Sequence, residues 1–373
     1  MAKLGEVCKV SASTKMIDKS KAWLLNLDMV EQQTGRVVEY NFVGEDGLNG
    51  SITQFDTENV LYSKLRPNLN KVVLPERNGF CTSELLPLRP DARKLDRSYL
   101  AVFLRSDGFV NWAVSKTAGA KMPRLGTKDL LNTNIPLPEI KEQKAIAEKF
   151  KKSEELISLR KQQLFKLDEL VKARFVEMFD AISPKKCASK IGECAEVLGG
   201  YAFKSDCFSN QGVPVVRIGN INDGRIDIDY NTCYAEEFWN KNPRFQARKY
   251  DILMAMSGAT TGKVGIYKSD ERLLINQRVA CIRARDDESA IFLFACLQLP
   301  WMYNLVQEAS AGCAQPNISG KQIETMPVPK PETSKVHQFA AFVECVDQQK
   351  QTIQQSLEKL ELMKKALMQE YFG

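Results

Sequence analysis

Residues 140–179 read IKEQKAIAEKFKKSEELISLRKQQLFKLDELVKARFVEMF and contain neither glycine nor proline. Residues 333–371 repeat this composition, which is rich in Lys, Glu, Gln, Leu and Ala, and prolines precede both runs. The pattern predicts one uninterrupted α-helix of about 40 residues in each place, roughly 60 Å long at 1.5 Å per residue. Two such helices decide the fold, because each is longer than the roughly 30 Å width of a small domain.

The two helices belong to two copies of a longer segment. Residues 123–179 align with residues 316–372 at an offset of 193, and the sequence KLGE at residues 3–6 returns as KIGE at residues 190–193. A chain that builds one unit twice can place two similar surfaces about a pseudo-two-fold axis. The repeat therefore predicts a target with two halves.

Apolar residues recur every seven positions in both helices, with one unbroken column in each. We predict that these columns form the a/d stripe of an antiparallel coiled coil, because a two-fold-like repeat brings equivalent helices together head to tail. The alternative is that each helix packs only on its own globular domain. The predicted seam residues are Phe150, Ile157, Leu164, Val171, Met178, Phe339, Val346, Ile353, Leu360 and Leu367.

The remaining sequence predicts an α+β architecture with two mixed α/β domains, residues 1–138 and 182–331, separated by helices in residues 139–181 and 332–373. Short apolar runs bounded by turn residues predict the strands, and one helical stretch follows them in each domain. The predicted strands are 37–42, 72–74, 215–218, 263–267 and 280–283, and the predicted helical stretches are 96–115 and 288–309.

One local alignment at an offset of 192 places residues 61–72 on residues 253–264, and both segments read as strand, polar loop and strand. Arg and Asn make bidentate contacts with guanine and adenine, while Lys, Ser, Thr and glycine amides suit phosphates. An ordinary solvated hairpin is the alternative. The candidate DNA-binding residues are Lys64, Arg66, Asn68, Lys71, Arg217, Ser257, Thr260, Thr261, Lys263, Gln277 and Arg278.

Composition excludes several kinds of site. A net charge of +6 is compatible with nucleic acid. A single histidine, His337, excludes a histidine-dependent triad or a two-histidine metal site within one chain. Residues 258–263, GATTGK, have three residues between the glycines and lack the Ser or Thr of a phosphate-binding loop, so we expect no ATP site. We predict no catalytic residue, metal or cofactor in this chain.

Ten scattered cysteines without a Cys-x-x-Cys pair favour reduced thiols and a cytoplasmic protein. No apolar stretch reaches the roughly 18 residues that a membrane span needs. We therefore predict no membrane partner.

In their order and duplication, these segments resemble the DNA-specificity subunit of type I restriction-modification systems. The resemblance rests on the KLGE and KIGE starts, on QPNIS at 315–319, on IPLP at 135–138 and MPVP at 326–329, and on QKAIA at 143–147 and KLDEL at 166–170. The first copy departs from the pattern at residues 122–125, MPRL, where the second has QPNI.

The resemblance implies a non-catalytic subunit. Each target recognition domain would contact one half of a split double-stranded DNA sequence in the major groove. Two methyltransferase subunits would dock on the helices and two restriction/translocase subunits would complete the complex. S-adenosylmethionine, ATP and Mg²⁺ would belong to those partners. The alternatives are a non-catalytic protein–protein adaptor and a DNA-modifying enzyme with degenerate motifs.

Under this hypothesis the helices act as a spacer. We predict that inserting seven residues into both helices lengthens the unspecified gap between the half-sites and leaves the half-sites themselves unchanged. Sequencing of methylated sites measures both quantities. An altered half-site with an unaltered gap would contradict the spacer role.

Overall fold

The computed structural model describes residues 1–15, 22–44, 47–48, 50–117, 121–222, 224–311, 316–330 and 332–373. These residues form two compact units. The first unit comprises Met1–Lys161 and Gln355–Gly373, and the second comprises Gln162–Gln354. Each long helix therefore contributes one part to each unit.

The first unit contains nine short strands, four short helices and parts of both long helices, within the described ranges. In chain order these are β1 (Ala2–Lys3), α1 (Leu4–Val7), β2 (Cys8–Val10), β3 (Leu24–Leu25), β4 (Ile52–Phe55), β5 (Val60–Ser63), β6 (Val72–Val73), β7 (Gly79–Thr82), β8 (Leu85–Pro90), α2 (Arg97–Leu104), α3 (Asp107–Ser115), α4 (Thr127–Asn132), β9 (Asn134–Ile135) and the long helix α5 (Ile140–Phe179).

The second unit repeats this order with additional strands. Its elements are β10 (Ser189–Lys190), α6 (Ile191–Cys194), β11 (Ala195–Gly199), β12 (Val213–Val216), β13 (Ile221–Asn222), β14 (Arg225–Ile226), β15 (Cys233–Tyr234), α7 (Glu236–Lys241), β16 (Ile252–Ala255), β17 (Val264–Ile266), β18 (Leu274–Ile275), β19 (Val279–Ala284), α8 (Asp287–Leu297), α9 (Pro300–Ser310), α10 (Gly320–Glu324), β20 (Pro327–Val328) and the long helix α11 (Thr333–Phe372).

A four-stranded antiparallel sheet is the repeated element of both units. Its order is β2-β8-β5-β6 in the first unit and β11-β19-β16-β17 in the second. The inner strands β5 and β16 are buried along their whole length, and their sequences VLYS and ILMA are continuously apolar or nearly so. Strands buried on both faces are expected to lose the alternation of polar and apolar residues.

The KLGE and KIGE starts form the same structure in both units. β1 pairs with β9 and β10 pairs with β20, and each first strand leads into a four-residue helix. The Glu6 carboxylate accepts the Lys3 backbone N–H at 3.3 Å, and Glu193 accepts that of Lys190 at 3.2 Å. The glutamate of the motif therefore satisfies an amide that the helix start leaves without a partner.

The two long helices, 40 residues each, run antiparallel within each unit. In the first unit Lys149 Nζ donates to the Tyr371 hydroxyl at 2.9 Å and Lys364 Nζ donates to Glu154 at 2.8 Å. As the residue number increases along α5, from Lys149 to Glu154, the number of its partner on α11 decreases, from Tyr371 to Lys364.

The second unit shows the same direction of pairing. Asp168 accepts a hydrogen bond from Lys350, and the rings of Phe175 and Phe339 lie 5.3 Å apart. The predicted fold class is confirmed: two mixed α/β domains, with two long antiparallel helices in a pseudo-two-fold repeat.

Each unit closes its core with the carboxyl end of a long helix. Phe372 is 9% exposed and packs in the first unit against Tyr99, Phe103 and Phe150, with ring centroids 5.3, 5.9 and 6.3 Å away. Phe179 fills the equivalent place in the second unit, 4.8 Å from the ring of Phe292. The core of each unit therefore includes residues far away in sequence.

The predicted seam residues differ in burial along the helices. Three of them, Phe150, Phe339 and Val346, are buried, and the other seven are half-buried. Phe175 lies outside the predicted columns and is fully buried. All three buried seam residues lie in the amino-terminal half of their helix. Phe150 and Phe339 also belong to the apolar core of a unit, so their burial exceeds what two helices alone provide.

Three sequence predictions need correction. Each expected helical stretch is divided in two: residues 96–115 form α2 and α3, and residues 288–309 form α8 and α9. Ser106 caps α3 by accepting the Phe109 N–H, and Pro300 begins α9. Residues 37–42 form isolated bridges at Val37 and Phe42 rather than a strand.

No single helix of the described ranges has the length and hydropathy of a membrane span. Taken together, α8 and α9 have the length and composition of a membrane span, but the pair bends by 74° at the break between the two helices.

Candidate nucleic-acid interface

The candidate loop of the first unit follows β5 and holds an unusual backbone. Pro67–Leu69 form one 3₁₀ turn, which is flanked by Arg66 at φ 48° and Asn70 at φ 50°. Residues with side chains seldom adopt this left-handed region. The Leu69 N–H donates to the Arg66 carbonyl at 2.9 Å, which closes the turn.

The loop of the second unit repeats that backbone with glycine at both left-handed positions. Gly258 has φ 79° and Gly262 has φ 84°, at the offset of 192 from Arg66 and Asn70. The Thr261 N–H donates to the Gly258 carbonyl at 3.1 Å, as Leu69 does in the first loop. The two loops therefore share both left-handed positions and this turn hydrogen bond, and they differ in their side chains.

A proline-containing segment holds the first loop in place. The Arg66 N–H donates to the Pro123 carbonyl at 2.8 Å, and the Leu125 N–H donates to the Lys64 carbonyl at 2.9 Å. These hydrogen bonds flank an isolated antiparallel bridge between Leu65 and Arg124. The segment MPRL, which departs from the family pattern in sequence, is therefore a backbone brace for the loop.

The second unit makes the same brace with the segment PNI. The Gly258 N–H donates to the Pro316 carbonyl at 3.2 Å, and the Ile318 N–H donates to the Met256 carbonyl at 2.9 Å. Gln315, which belongs to the quoted QPNIS motif, lies outside the described residues. The sequence analysis treated the loop and the proline segment separately. Their nearly equal offsets, 192 and 193, were a signal that both belong to the same duplicated unit.

A third segment completes each arrangement. The Lys64 N–H donates to the Glu84 carbonyl at 3.1 Å, and the Met256 N–H donates to the Arg278 carbonyl at 2.9 Å. Glu84 immediately precedes β8 and Arg278 immediately precedes β19, which are equivalent strands of the repeated sheet. We call these arrangements the first junction (Lys64–Asn68, Glu84 and Pro123–Leu125) and the second junction (Met256–Thr260, Arg278 and Pro316–Ile318).

Three of the four candidate residues of the first unit lie in its junction. Lys64 is half-buried, while Arg66 and Asn68 are exposed. Lys71 is separate, because its ammonium donates to the Leu27 carbonyl at 2.5 Å and burial lowers its pKa. This environment favours a structural role for Lys71.

The candidate residues of the second unit divide into two groups. Ser257, Thr260 and Arg278 belong to the second junction, and exposed Gln277 is adjacent. The hydroxyls of Ser257 and Thr260 are buried without a hydrogen-bond partner in the described structure. Thr261 is buried and donates to the Gly258 carbonyl at 2.7 Å, so it shapes the loop from inside.

The remaining two candidates lie outside the second junction. Arg217 donates to the Thr232 hydroxyl at 3.2 Å and lies 3.5 Å from the Asp229 carboxylate. Lys263 follows the loop and lines a cleft of about 1210 Å³ within the second unit.

This cleft lies beside both long helices and β17. Its charged lining residues are largely paired, as Lys268 is with Asp347 and Lys350 is with Asp168. We assign it no catalytic role. Across the described part of the chain, no group of three His, Cys, Asp or Glu side chains is placed to hold a metal ion.

Comparison with known proteins identifies the class of this architecture. The family described as type I restriction modification DNA specificity domain matches residues 1–169 and again residues 185–362.

The chain belongs to this family.

Members of the family are non-catalytic specificity subunits, so the predicted function, a DNA-specificity subunit with two recognition domains, is confirmed. The chain is 26% identical over 315 residues to the type I restriction enzyme MjaVIII specificity subunit of Methanocaldococcus jannaschii, covering 78% of this chain and 73% of that protein. It is 30% identical over 117 residues to the EcoDI specificity subunit of Escherichia coli, covering 31% of this chain and 26% of that protein.

Two solved structures show the same fold. The S subunit of a type I restriction-modification system from M. genitalium superposes with a TM-score of 0.60 at 14% identity, covering 100% of this chain and 95% of that one. A chain from a structural study of complex assembly and conformational transition of the type I R-M system gives a TM-score of 0.58 at 20% identity, with coverages of 100% and 96%. Family membership implies DNA and the methyltransferase and restriction subunits as partners.

Proposed function

We propose that this subunit contacts a split DNA target, with the first junction at one half-site and the second junction at the other. One observation carries the proposal: both junctions have the same backbone hydrogen bonds but different side chains at the loop. A constant backbone gives the two surfaces the same way of approaching a duplex. Different side chains give them different base preferences.

The chemistry of the junctions suits the major groove. Arg66, Asn68 and Arg278 are exposed and have the side chains that make bidentate contacts with guanine or adenine. Lys64 and the small residues at positions 257–260 have the chemistry for contacts with the sugar-phosphate backbone. The buried hydroxyls of Ser257 and Thr260, which have no partner among the described residues, would donate hydrogen bonds to a phosphate if the loop adjusted on binding.

The long helices carry the features expected for docking of other subunits. Both have large apolar side chains that are more than two-fifths exposed, although each helix also packs within the units. These residues are Leu156, Leu159, Phe165, Leu170, Leu362 and Met363. A subunit that covered these side chains would remove apolar surface from water, which favours association.

We propose that two methyltransferase subunits dock on these helices and that two restriction/translocase subunits complete the assembly. In this assignment S-adenosylmethionine, ATP and Mg²⁺ belong to the partner subunits, and the complex acts in the cytoplasm. The recognition domains of the proposal correspond to residues 1–138 and 182–331.

The proposal is tested by producing the chain together with a type I methyltransferase subunit and sequencing the methylated DNA. We expect methylated adenines in one bipartite motif, two short specific sequences separated by a fixed unspecified gap. The methyltransferase subunit without this chain is the control and should give no such motif. Methylation within one contiguous motif, or without any shared motif, would contradict the proposal.

A non-DNA adaptor function makes a different prediction for binding. Contacts with phosphates give an affinity that falls steeply with salt. The logarithm of the binding constant falls against the logarithm of the salt concentration with a slope of about −0.9 for each phosphate neutralised on duplex DNA. A complex whose affinity for its target DNA does not change with salt would favour the adaptor.

A further inference from the structure

The two junctions are chemically different at three equivalent positions. All three positions lie at the surface or partly exposed, around the same set of backbone hydrogen bonds. The equivalent pairs are Arg66 and Gly258, Glu84 and Arg278, and Arg124 and Asn317.

At these three positions of the first junction, two of the charged side chains neutralise each other. Arg124 donates to both carboxylate oxygens of Glu84, at 3.0 and 3.3 Å. The hydrogen bond from Arg124 holds the pKa of the Glu84 carboxyl below its usual value, although partial burial opposes this. Arg124 is therefore engaged, and a base would have to compete with Glu84 for its guanidinium.

Arg66 is the remaining cation among these three positions. Its side chain is exposed, and it has no hydrogen-bond or ion-pair partner in the part of the chain that the structure describes. Its backbone is fixed at φ 48° by the bond to Pro123, in a conformation that Gly258 adopts without strain in the other copy. The first unit thus holds an arginine where its backbone favours glycine, and a structural role for this side chain is not evident among its contacts.

In the second junction the exposed arginine occupies a different one of the three equivalent positions. Gly258 has no side chain there, and Asn317 replaces the engaged arginine of the first junction. Arg278 occupies the position of Glu84, is exposed, and has no side-chain partner within the described residues. Its backbone is held on both sides, because its N–H donates to the Asn276 side chain at 3.3 Å and its carbonyl accepts the Met256 N–H at 2.9 Å.

We infer that Arg66 in the first unit and Arg278 in the second are the principal specificity-determining residues, each making a bidentate contact with a guanine of its own half-site. The inference rests on the proposed function and adds the residue and the base. Each junction presents one guanidinium that has no partner among the described residues, on a backbone held by hydrogen bonds. Such a guanidinium is available to donate to guanine O6 and N7. The two arginines occupy non-equivalent positions in the two junctions. The guanines therefore need not occupy equivalent positions in the two half-sites.

The variants Arg66→Gly and Arg278→Ala test the inference in the complex with the methyltransferase subunit. Arg66→Gly matches the backbone of the second loop, so it removes the side chain without adding strain. Methylation is measured on a DNA library randomised in both half-sites. We expect Arg66→Gly to reduce the preference for guanine at one position of one half-site by roughly 10- to 100-fold and to leave the other half-site unchanged. Arg278→Ala should reduce the guanine preference in that other half-site by a similar factor and leave the first unchanged.

Matched controls follow β8 and β19, at the ends of these strands opposite to Glu84 and Arg278. Arg93 follows β8, is 91% exposed and lies 3.4 Å from Asp91. Arg285 follows β19 and donates to the Glu193 carbonyl at 3.2 Å. Arg93→Ala and Arg285→Ala should leave both half-site preferences unchanged.

Two results would overturn the inference while the proposed function stands. One is an unchanged guanine preference in both variants. The other is an equal loss of methylation on all sequences, which would indicate that these arginines contact phosphates. A wild-type complex that shows no preference in either half-site would instead contradict the proposed function itself.

Discussion

Replacing Phe372 by alanine is expected to destabilise the first unit by about 3–5 kcal/mol, the usual cost of removing a buried phenylalanine side chain. The residue lies 222 positions after Phe150, against which it packs, yet it closes the core of a unit that is otherwise built largely from residues before Lys161. The cavity would be lined by Tyr99, Phe103 and Phe150, which lose their contact with the ring. The second unit does not contain Phe372 and should keep its stability.

Limited proteolysis and urea denaturation of the full chain measure this effect. We expect new cleavage sites within residues 1–138 at urea concentrations where residues 182–331 remain protected. The control is Leu362→Ala on the same helix, because Leu362 is 69% exposed and its truncation should cost little. Equal denaturation midpoints for the two variants would show that Phe372 is not part of the core of the first unit.

Replacing Arg283 by methionine is expected to destabilise the second unit by about 3–5 kcal/mol, because it leaves a buried carboxylate without its cation. The side chain of Asp251 is 3% exposed and that of Arg283 is 15% exposed. Their two hydrogen bonds measure 2.6 and 2.9 Å, and the guanidinium also donates to the Gln246 carbonyl. In the variant, the Arg248 N–H remains as a donor to the carboxylate, at 2.7 Å.

The double variant Asp251→Leu with Arg283→Met distinguishes charge burial from loss of packing. We expect it to recover much of the lost stability, since an apolar pair avoids the cost of desolvating a charge. Arg89→Met is the comparison in the first unit, where Arg89 occupies the equivalent strand position and is 28% exposed. Its partner Asp56 also accepts hydrogen bonds from the Ser13 hydroxyl and the Glu58 N–H, so this loss should be smaller. A double variant no more stable than Arg283→Met alone would contradict the electrostatic explanation.

Local sequence patterns predicted the helices well. The absence of glycine and proline from residues 140–179 gave bounds that agree with α5, Ile140–Phe179, because helix continuity depends on neighbouring residues. The division of the two shorter helical stretches was also encoded locally. Ser106 is a good N-cap and Pro300 is favoured at the first position of a helix, but apolar periodicity was given more weight than these signals.

The junctions could not be predicted in the same way. The Leu125 N–H meets the Lys64 carbonyl 61 residues away, and backbone hydrogen bonds do not depend on side-chain identity in a way that one sequence reveals. The partnership of Glu84 with Arg124 is likewise a consequence of tertiary placement. Composition alone suggested that the loops contact DNA. The structure distinguishes Arg124, which is engaged with Glu84, from Arg66, whose side chain has no partner among the described residues.

The exchange of helix ends between the units has a consequence for biosynthesis. Because Phe372 completes the core of the first unit, that unit stays unfinished on the ribosome until residue 372 has emerged, although most of it is translated first. The second unit includes Phe179, which is made before its own strands, so it can close earlier. Nascent chains should therefore mature in reverse order of translation, with the earliest-made domain the last to become resistant to cellular proteases.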